Sequence, residues 1–289
     1  MFDPLGDLIK TLERETAGQP IPANHAIYAR IDGRGFSRFT RDMQRPFDPR
    51  MTRAMQATSA HLLHHTHATA AYVQSDEISL LFAPAITDDG TASQHFFGGK
   101  ILKMTSVLAA LATAAFTRAL LEDQDGLAAW TDRMPHFDAR VVDMPRVEDA
   151  IAAFAWRGQD ARRNGIRQLG SAHFSHHQMD GKSNREVIAM LASIGITLEG
   201  QPDASMNGTL MSYITVARPL TDLELHRIPA DARPAPGTLF SRRAIVACDT
   251  HHPGLMHNLA DVLLDGAAPD TRPAPEYSDK PEAMSIYPA

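Results

Sequence analysis

Apolar and polar positions change period several times along the chain, and each change marks an element. Residues 2–14 carry Leu5, Leu8, Ile9 and Leu12 on one stripe, which predicts a short amphipathic helix. After a turn at Gly18-Gln19-Pro20, residues 25–31 alternate and predict a strand that stops at Asp32-Gly33. A short helix is expected from Phe36 to Phe39. Pro46 and Pro49 then punctuate a loop in which Asp48 is placed to cap a helix over 50–68. Two β runs, 69–75 and 78–82, flank Asp76-Glu77, the signal of a hairpin with acidic residues at its tip. A loop over 84–97 leads into an Ala/Leu-rich helix over 99–121. A fourth strand over 134–143 follows, where Asp138 and Arg140 alternate with Phe137 and Ala139. The next helix, 147–167, has Glu148 and Asp149 in its first turn, where the helix dipole favours anions.

The order β-α-β-β-α-β predicts an α+β fold, an antiparallel ferredoxin-like sheet with helices on one face. In that layout the first strand lies beside the central hairpin, so Asp32 and Asp76 can face each other. Residues 1–220 are read as one catalytic domain, 221–265 as a helix-and-strand extension packed on it, and 266–289 as a Pro-rich, loosely ordered tail.

Composition changes this picture little. With 44% hydrophobic and 21% charged residues the chain reads as a soluble globular protein, and its single cysteine, Cys248, excludes an internal disulfide framework. No signal peptide is apparent, and the longest apolar stretch, near 107–115, reads as too short to span a bilayer, so a cytoplasmic protein without a membrane partner is expected. Net charge is −6, which disfavours a nucleic-acid partner globally. Locally, however, Arg157, Arg162, Arg163, Arg167, Lys182 and Arg185 stand against only Asp160 and Asp180, one basic segment over 157–185.

Two carboxylates brought within a few ångströms need a cation between them, or one must hold a proton. Mg²⁺ accepts a few hard oxygen ligands plus water and phosphates, so Asp32, Asp76 and the carbonyl of Gly33 suffice, and a pair of such ions can serve phosphoryl displacement. Glu77 is a candidate supporting group or base. The bland reading is that Asp-Gly and Asp-Glu are ordinary solvated turn residues.

Further motifs point one way. Arg30-Ile-Asp-Gly-Arg-Gly-Phe-Ser-Arg-Phe39, Gln74-Ser-Asp-Glu-Ile-Ser79, Phe137-Asp-Ala-Arg140, and Trp156-Arg157 with Asp160 and Asn164 occur in this order. Together they resemble the tRNA-His guanylyltransferase family, in particular its guanylyltransferase-like 3′–5′ polymerase branch, over roughly residues 20–215. The resemblance implies a polymerase-like palm, two Mg²⁺ ions, and ATP and GTP as substrates. It implies addition of nucleotides to the 5′ end of tRNA after ATP activates a 5′-monophosphate, in a cytoplasmic homotetramer. Carried over by position, it makes Asp32, Asp76 and Glu77 catalytic, and Asp32, Gly33 and Asp76 metal-binding. Arg34, Gly35, Phe36, Arg45, Ser75, Lys100, Lys103 and Arg140 become nucleotide or triphosphate contacts; Arg157, Arg162, Arg163, Asn164 and Lys182 become tRNA contacts.

One departure redirects the substrate. Guanylyltransferases proper carry a His-Ile-Asn-Asn run where this chain reads Arg162-Arg163-Asn164-Gly165, so the resemblance favours template-dependent 5′-end repair over guanylylation of tRNA-His. A palm-type nucleotide cyclase and a non-catalytic nucleotide- or RNA-binding module are the alternatives. The histidines at 61, 64, 65 and 67 lack further ligands in sequence and read as a polar helix face. Gly181-Lys182-Ser183 lacks the leading glycine and strand of a P-loop.

Overall fold

The computed structural model describes residues 4–86, 90, 92–248 and 253–271. Six strands form one sheet: β1 (Ala26–Gly33), β2 (Ala70–Gln74), β3 (Glu77–Phe82), β4 (Phe137–Met144), β5 (Thr209–Arg218) and β6 (Phe240–Cys248). Their order is β4-β1-β3-β2-β5-β6, and every pairing is antiparallel. The helices are α1 (Pro4–Ala17), α2 (Phe36–Phe39), α3 (Pro49–His65), α4 (Ile101–Glu122), α5 (Val147–His173), α6 (His176–Met179), α7 (Asn184–Ser193), α8 (Asp203–Asn207), α9 (Asp222–His226) and α10 (Leu259–Asp265).

Alternation along the strands sends Ile27, Ala29 and Ile31 of β1, with Ile78, Leu80 and Phe82 of β3, to one face, where α3 and α4 supply Met55, Leu62, Leu63, Met104, Leu108 and Phe116. This is the expected α+β arrangement. The other face is also covered: Tyr28, Tyr72 and Leu81 pack against Ile151 and Phe154 of α5 and against Val262 and Leu263 of α10. A second apolar set on the strands therefore needed a second helical layer. Helix α4 is long and apolar enough to cross a membrane by length and composition, contrary to the reading of 107–115 as too short, but its buried stripe is built into this core.

Residues 221–265 share the sheet through the β5–β6 pair and the second core through α10. Of the expected Pro-rich tail, Thr271 bridges to Met256; residues 272–289 lie outside the described part. Helix α1 leaves Leu5, Leu8, Ile9 and Leu12 exposed.

Candidate active site

The register of the sheet brings the two aspartates together. Asp32 of β1 lies opposite Glu77 of β3, and the Gly33 backbone N–H donates to the carbonyl of Asp76 at 2.9 Å. Ser75 and Asp76 connect β2 to β3 in a two-residue turn, with Ser75 at φ 53°, a left-handed conformation that a side chain adopts at a cost. Burial and the facing negative charge of Asp32 push the Asp76 carboxyl above its ordinary range. Neither aspartate has a basic partner within ion-pair distance among the described residues, whereas Glu77, Asp48 and Asp160 all do.

Asp32 and Asp76 line a cleft of about 530 Å³ together with Gly33, Gly35, Phe36, Ser75 and Arg45. Its floor is apolar, with Met43, Met51, Met55 and Val73, and its far wall comes from Gln168, Ala204 and Ser205. Gln168 of α5 donates to the Pro46 carbonyl at 2.9 Å, tying that wall to the Arg45 loop. Asp48 caps α3 by accepting from the Arg50 N–H at 3.0 Å. The methionine floor escaped the sequence reading, in which methionines count as core filling; only the end of a strand pointing at it marks it as a wall.

Glycine at position 33 has a packing cause. A Cβ there would lie 2.5 Å from the Phe36 ring, which packs at tilted angles on Phe39, Phe116 and Phe137 in the core. Close approach of this ring, as well as access of the carbonyl to a cation, calls for glycine.

Several expected contacts fall elsewhere. Arg157 is 7% exposed and grips Glu77 with both ends of its guanidinium, Nε to Oε1 and Nη2 to Oε2 at 2.7 Å each, while Nη1 meets Asp160 at 3.0 Å. It is a buried clamp on the hairpin rather than an exposed tRNA contact. Glu77 is thereby engaged, with Arg30 a further 3.5 Å away, and burial, the strongest influence on it, raises its carboxyl despite the two arginines. That is unlike a free base. Lys100 and Lys103 stand at the opposite end of the sheet: Gly99 accepts from Ile21 before β1 begins, and Phe116, which reaches Phe36, lies 13 residues or roughly 20 Å further along α4 than Lys103. They do not reach this cleft within one chain. Arg140, on β4 opposite Arg30, is exposed and outside the cleft. Arg34 is exposed beside it.

Most side chains of the basic segment over 157–185 are engaged, although Arg185 is exposed and without a partner among the described residues. Arg162 donates to Asn207, Arg163 and Asn164 to Asp160, Arg167 to the Lys182 carbonyl, and Lys182 to Glu186.

The carboxylate pair fits Mg²⁺. Among the described residues no third His, Cys or carboxylate completes a closed set, which disfavours a structural zinc site and suits an ion that keeps water and phosphate ligands.

Comparison with known proteins sets these features in a family. The profile of Thg1, tRNAHis guanylyltransferase, matches residues 6–145. An uncharacterized protein of Acanthamoeba polyphaga mimivirus is 27% identical over 190 residues, covering 61% of this chain and 63% of its own length. The tRNA(His) guanylyltransferase of Debaryomyces hansenii is 24% identical over 163 residues, covering 55% of this chain and 57% of that protein. The chain thus spans roughly three fifths of the length of these curated relatives. A bacterial tRNA(His) guanylyltransferase (Thg1)-like protein in complex with ATP superposes with a TM-score of 0.64 at 29% identity, over 72% of this chain and 88% of the other. A bacterial Thg1-like protein in complex with GTP gives 0.61 at 23% identity over 84% and 91%, and the Saccharomyces cerevisiae tRNA(His) guanylyltransferase gives 0.55 at 19% over 68% and 90%; these two speak for the fold alone. Strand order, paired aspartates and sequence likeness agree: residues 6–145 match the tRNA-His guanylyltransferase family, and the chain is similar in fold and sequence to its Thg1-like members.

Proposed function

We propose that this protein is a Mg²⁺-dependent nucleotidyltransferase that adds nucleotides in the 3′–5′ direction to the 5′ end of tRNA, repairing truncated ends against the opposing strand. The observation that carries the reading is the pair Asp32 and Asp76, facing each other at a cleft without a basic partner. Two bound Mg²⁺ ions would supply charge stabilisation to the attacking and leaving oxygens of an in-line displacement. Asp32 and Asp76 would hold them, joined by the Gly33 carbonyl.

Arg45 at the cleft rim is the cation placed to take a triphosphate, since its planar fork pairs with two phosphate oxygens. The apolar floor of Met43, Met51 and Met55 excludes water beneath a nucleotide. In the first step ATP activates the 5′-monophosphate, releasing pyrophosphate. In the second, the 3′-hydroxyl of the incoming nucleotide attacks that activated phosphate and the adenylate leaves. The related bacterial structure with ATP supports a nucleotide substrate of this kind. Arg157 holds Glu77, and through it the hairpin that presents Asp76.

Absence of the His-Ile-Asn-Asn run at 162–165 favours templated repair over addition of G to tRNA-His. The test offers each nucleoside triphosphate singly to tRNAs lacking their first nucleotide and differing in the opposing base. Addition that follows the complement supports repair. Addition of G alone, whatever stands opposite, supports guanylylation instead.

A further inference from the structure

The sequence places the nucleic-acid contacts in the segment over 157–185, yet most of those side chains are buried or already engaged. Arg185 is the one cation of that segment left exposed and without a partner among the described residues; a cluster of such charges lies elsewhere. Between Gly33 and Phe47 the chain carries Arg34, Arg38, Arg41 and Arg45, all exposed, against a single carboxylate, Asp42. Asp42 itself is taken by Arg133 at 2.7 Å, and Arg133 also donates to the Phe39 carbonyl at 2.7 Å, adding a fifth cation to the same wall. None of the guanidinium groups of Arg34, Arg38, Arg41 and Arg45 meets a carboxylate among the described residues.

Packing fixes which way this segment faces. Phe36, Phe39 and Met43 are 3%, 5% and 6% exposed and seat it on the core. The Thr40 N–H donates to Phe36 and Met43 to Thr40, so helical geometry persists past α2 and keeps Arg38 and Arg41 side by side, three residues apart. With Phe36, Phe39 and Met43 turned inward, the arginines at spacings of four, three and four residues are left on the outside. The ridge starts two residues beyond Asp32 and ends at Arg45, on the cleft rim.

We infer that Arg34, Arg38 and Arg41, leading up to Arg45 at the cleft rim, form a docking ridge for the phosphodiester backbone of an RNA strand whose 5′ end enters the cleft. In a chain of net charge −6, clustered arginines without carboxylate partners match a polyanion, and guanidinium forks match phosphate oxygens. The ridge rests on the reading of RNA as substrate and adds to it the surface and the path. Arg38 and Arg41 lie away from the carboxylates and are the residues that distinguish a strand from a lone nucleotide.

The test measures binding of a 5′-monophosphorylated RNA hairpin with a single-stranded 3′ tail between about 50 and 200 mM salt, for wild type, Arg38→Gln/Arg41→Gln and Arg162→Gln/Arg163→Gln. Loss of two phosphate contacts lowers the slope of log affinity against log salt by about 1.4–1.8 and weakens binding roughly tenfold or more. The Arg162→Gln/Arg163→Gln protein keeps the wild-type slope. ATP affinity of Arg38→Gln/Arg41→Gln stays at the wild-type value, which also reports an intact fold. An unchanged slope in that variant overturns the ridge, as does a parallel loss of ATP affinity or equal displacement of the RNA by polyglutamate. A salt slope that depends on Arg38 and Arg41 in a protein that adds no nucleotide to any RNA keeps the ridge and removes the proposed activity.

Discussion

Asp76 carries an electrostatic cost that a bound cation or a proton relieves. Its carboxylate is buried against that of Asp32, so replacing it by the neutral isostere Asp76→Asn raises the melting temperature of the metal-free protein near pH 7. The same change lowers nucleotide addition by at least about 100-fold, the scale of losing one preorganised electrostatic group. Thermal melting in a chelator and with Mg²⁺ checks both halves: Mg²⁺ stabilises the wild type and not the variant. Arg157 makes the opposite case. Truncating it to Met leaves the buried Glu77 carboxylate with only the longer Arg30 contact and costs up to about 3–5 kcal/mol, while the double variant Arg157→Met/Glu77→Leu recovers most of that loss. Chemical denaturation of the three proteins measures this. Asp32 and Asp76 were legible because turn residues at strand ends mark themselves in sequence. Arg157 was not, since its partner lies 80 residues away on a strand and nothing local announces that an arginine will be buried.

At the scale of elements, the start of α3 ties stability to pH. Asp48 accepts from the Gln44 and Arg50 backbones and pairs with the Arg50 side chain, which holds its carboxyl down at about 2. A depressed carboxylate stabilises the fold above its unfolded value near 4 and loses that contribution as pH falls toward 2. About 2 kcal/mol of stability is therefore lost over that window. In Asp48→Ala that part of the acid limb is missing, as stability measured from pH 5 to pH 2 would register. The cap itself was legible, a lone Asp before Pro49. Lys100 and Lys103 lie away from the cleft of their own chain for a topological reason. β3 runs away from the hairpin tip, so the helix that follows must begin at the far end of the sheet and only its C-terminal half returns to Phe36. Strand direction, traced through, places them at that far end. β5 and β6 escaped individual assignment, although Thr209–Arg218 is rich in β-branched and aromatic residues, because their partners lie far apart in sequence and their side chains are shared between the two cores.

For the whole molecule, charge is distributed against the grain of its sum. In the longer basic stretch, 157–185, Arg157, Arg163 and Lys182 are held by Glu77, Asp160 and Glu186, while the shorter and denser run from Arg34 to Arg45 stays open to solvent beside the cleft. Counting charges along a chain cannot separate these two cases, because partners are set by packing. The order βαββαβ, by contrast, was readable from hydrophobic period alone, and it is what places two aspartates 44 residues apart in sequence at one point in space. The most direct test of their role follows a radiolabelled 5′-phosphate on an RNA lacking its first nucleotide, incubated with the protein, Mg²⁺, ATP and the complementary nucleoside triphosphate. Growth at the 5′ end buries the label, so the lengthened RNA keeps it through phosphatase treatment, and Asp32→Ala and Asp76→Ala give neither lengthening nor protection. A lengthened RNA whose label phosphatase still removes, or full protection by Asp76→Ala, would contradict transfer to the 5′ end by this carboxylate pair.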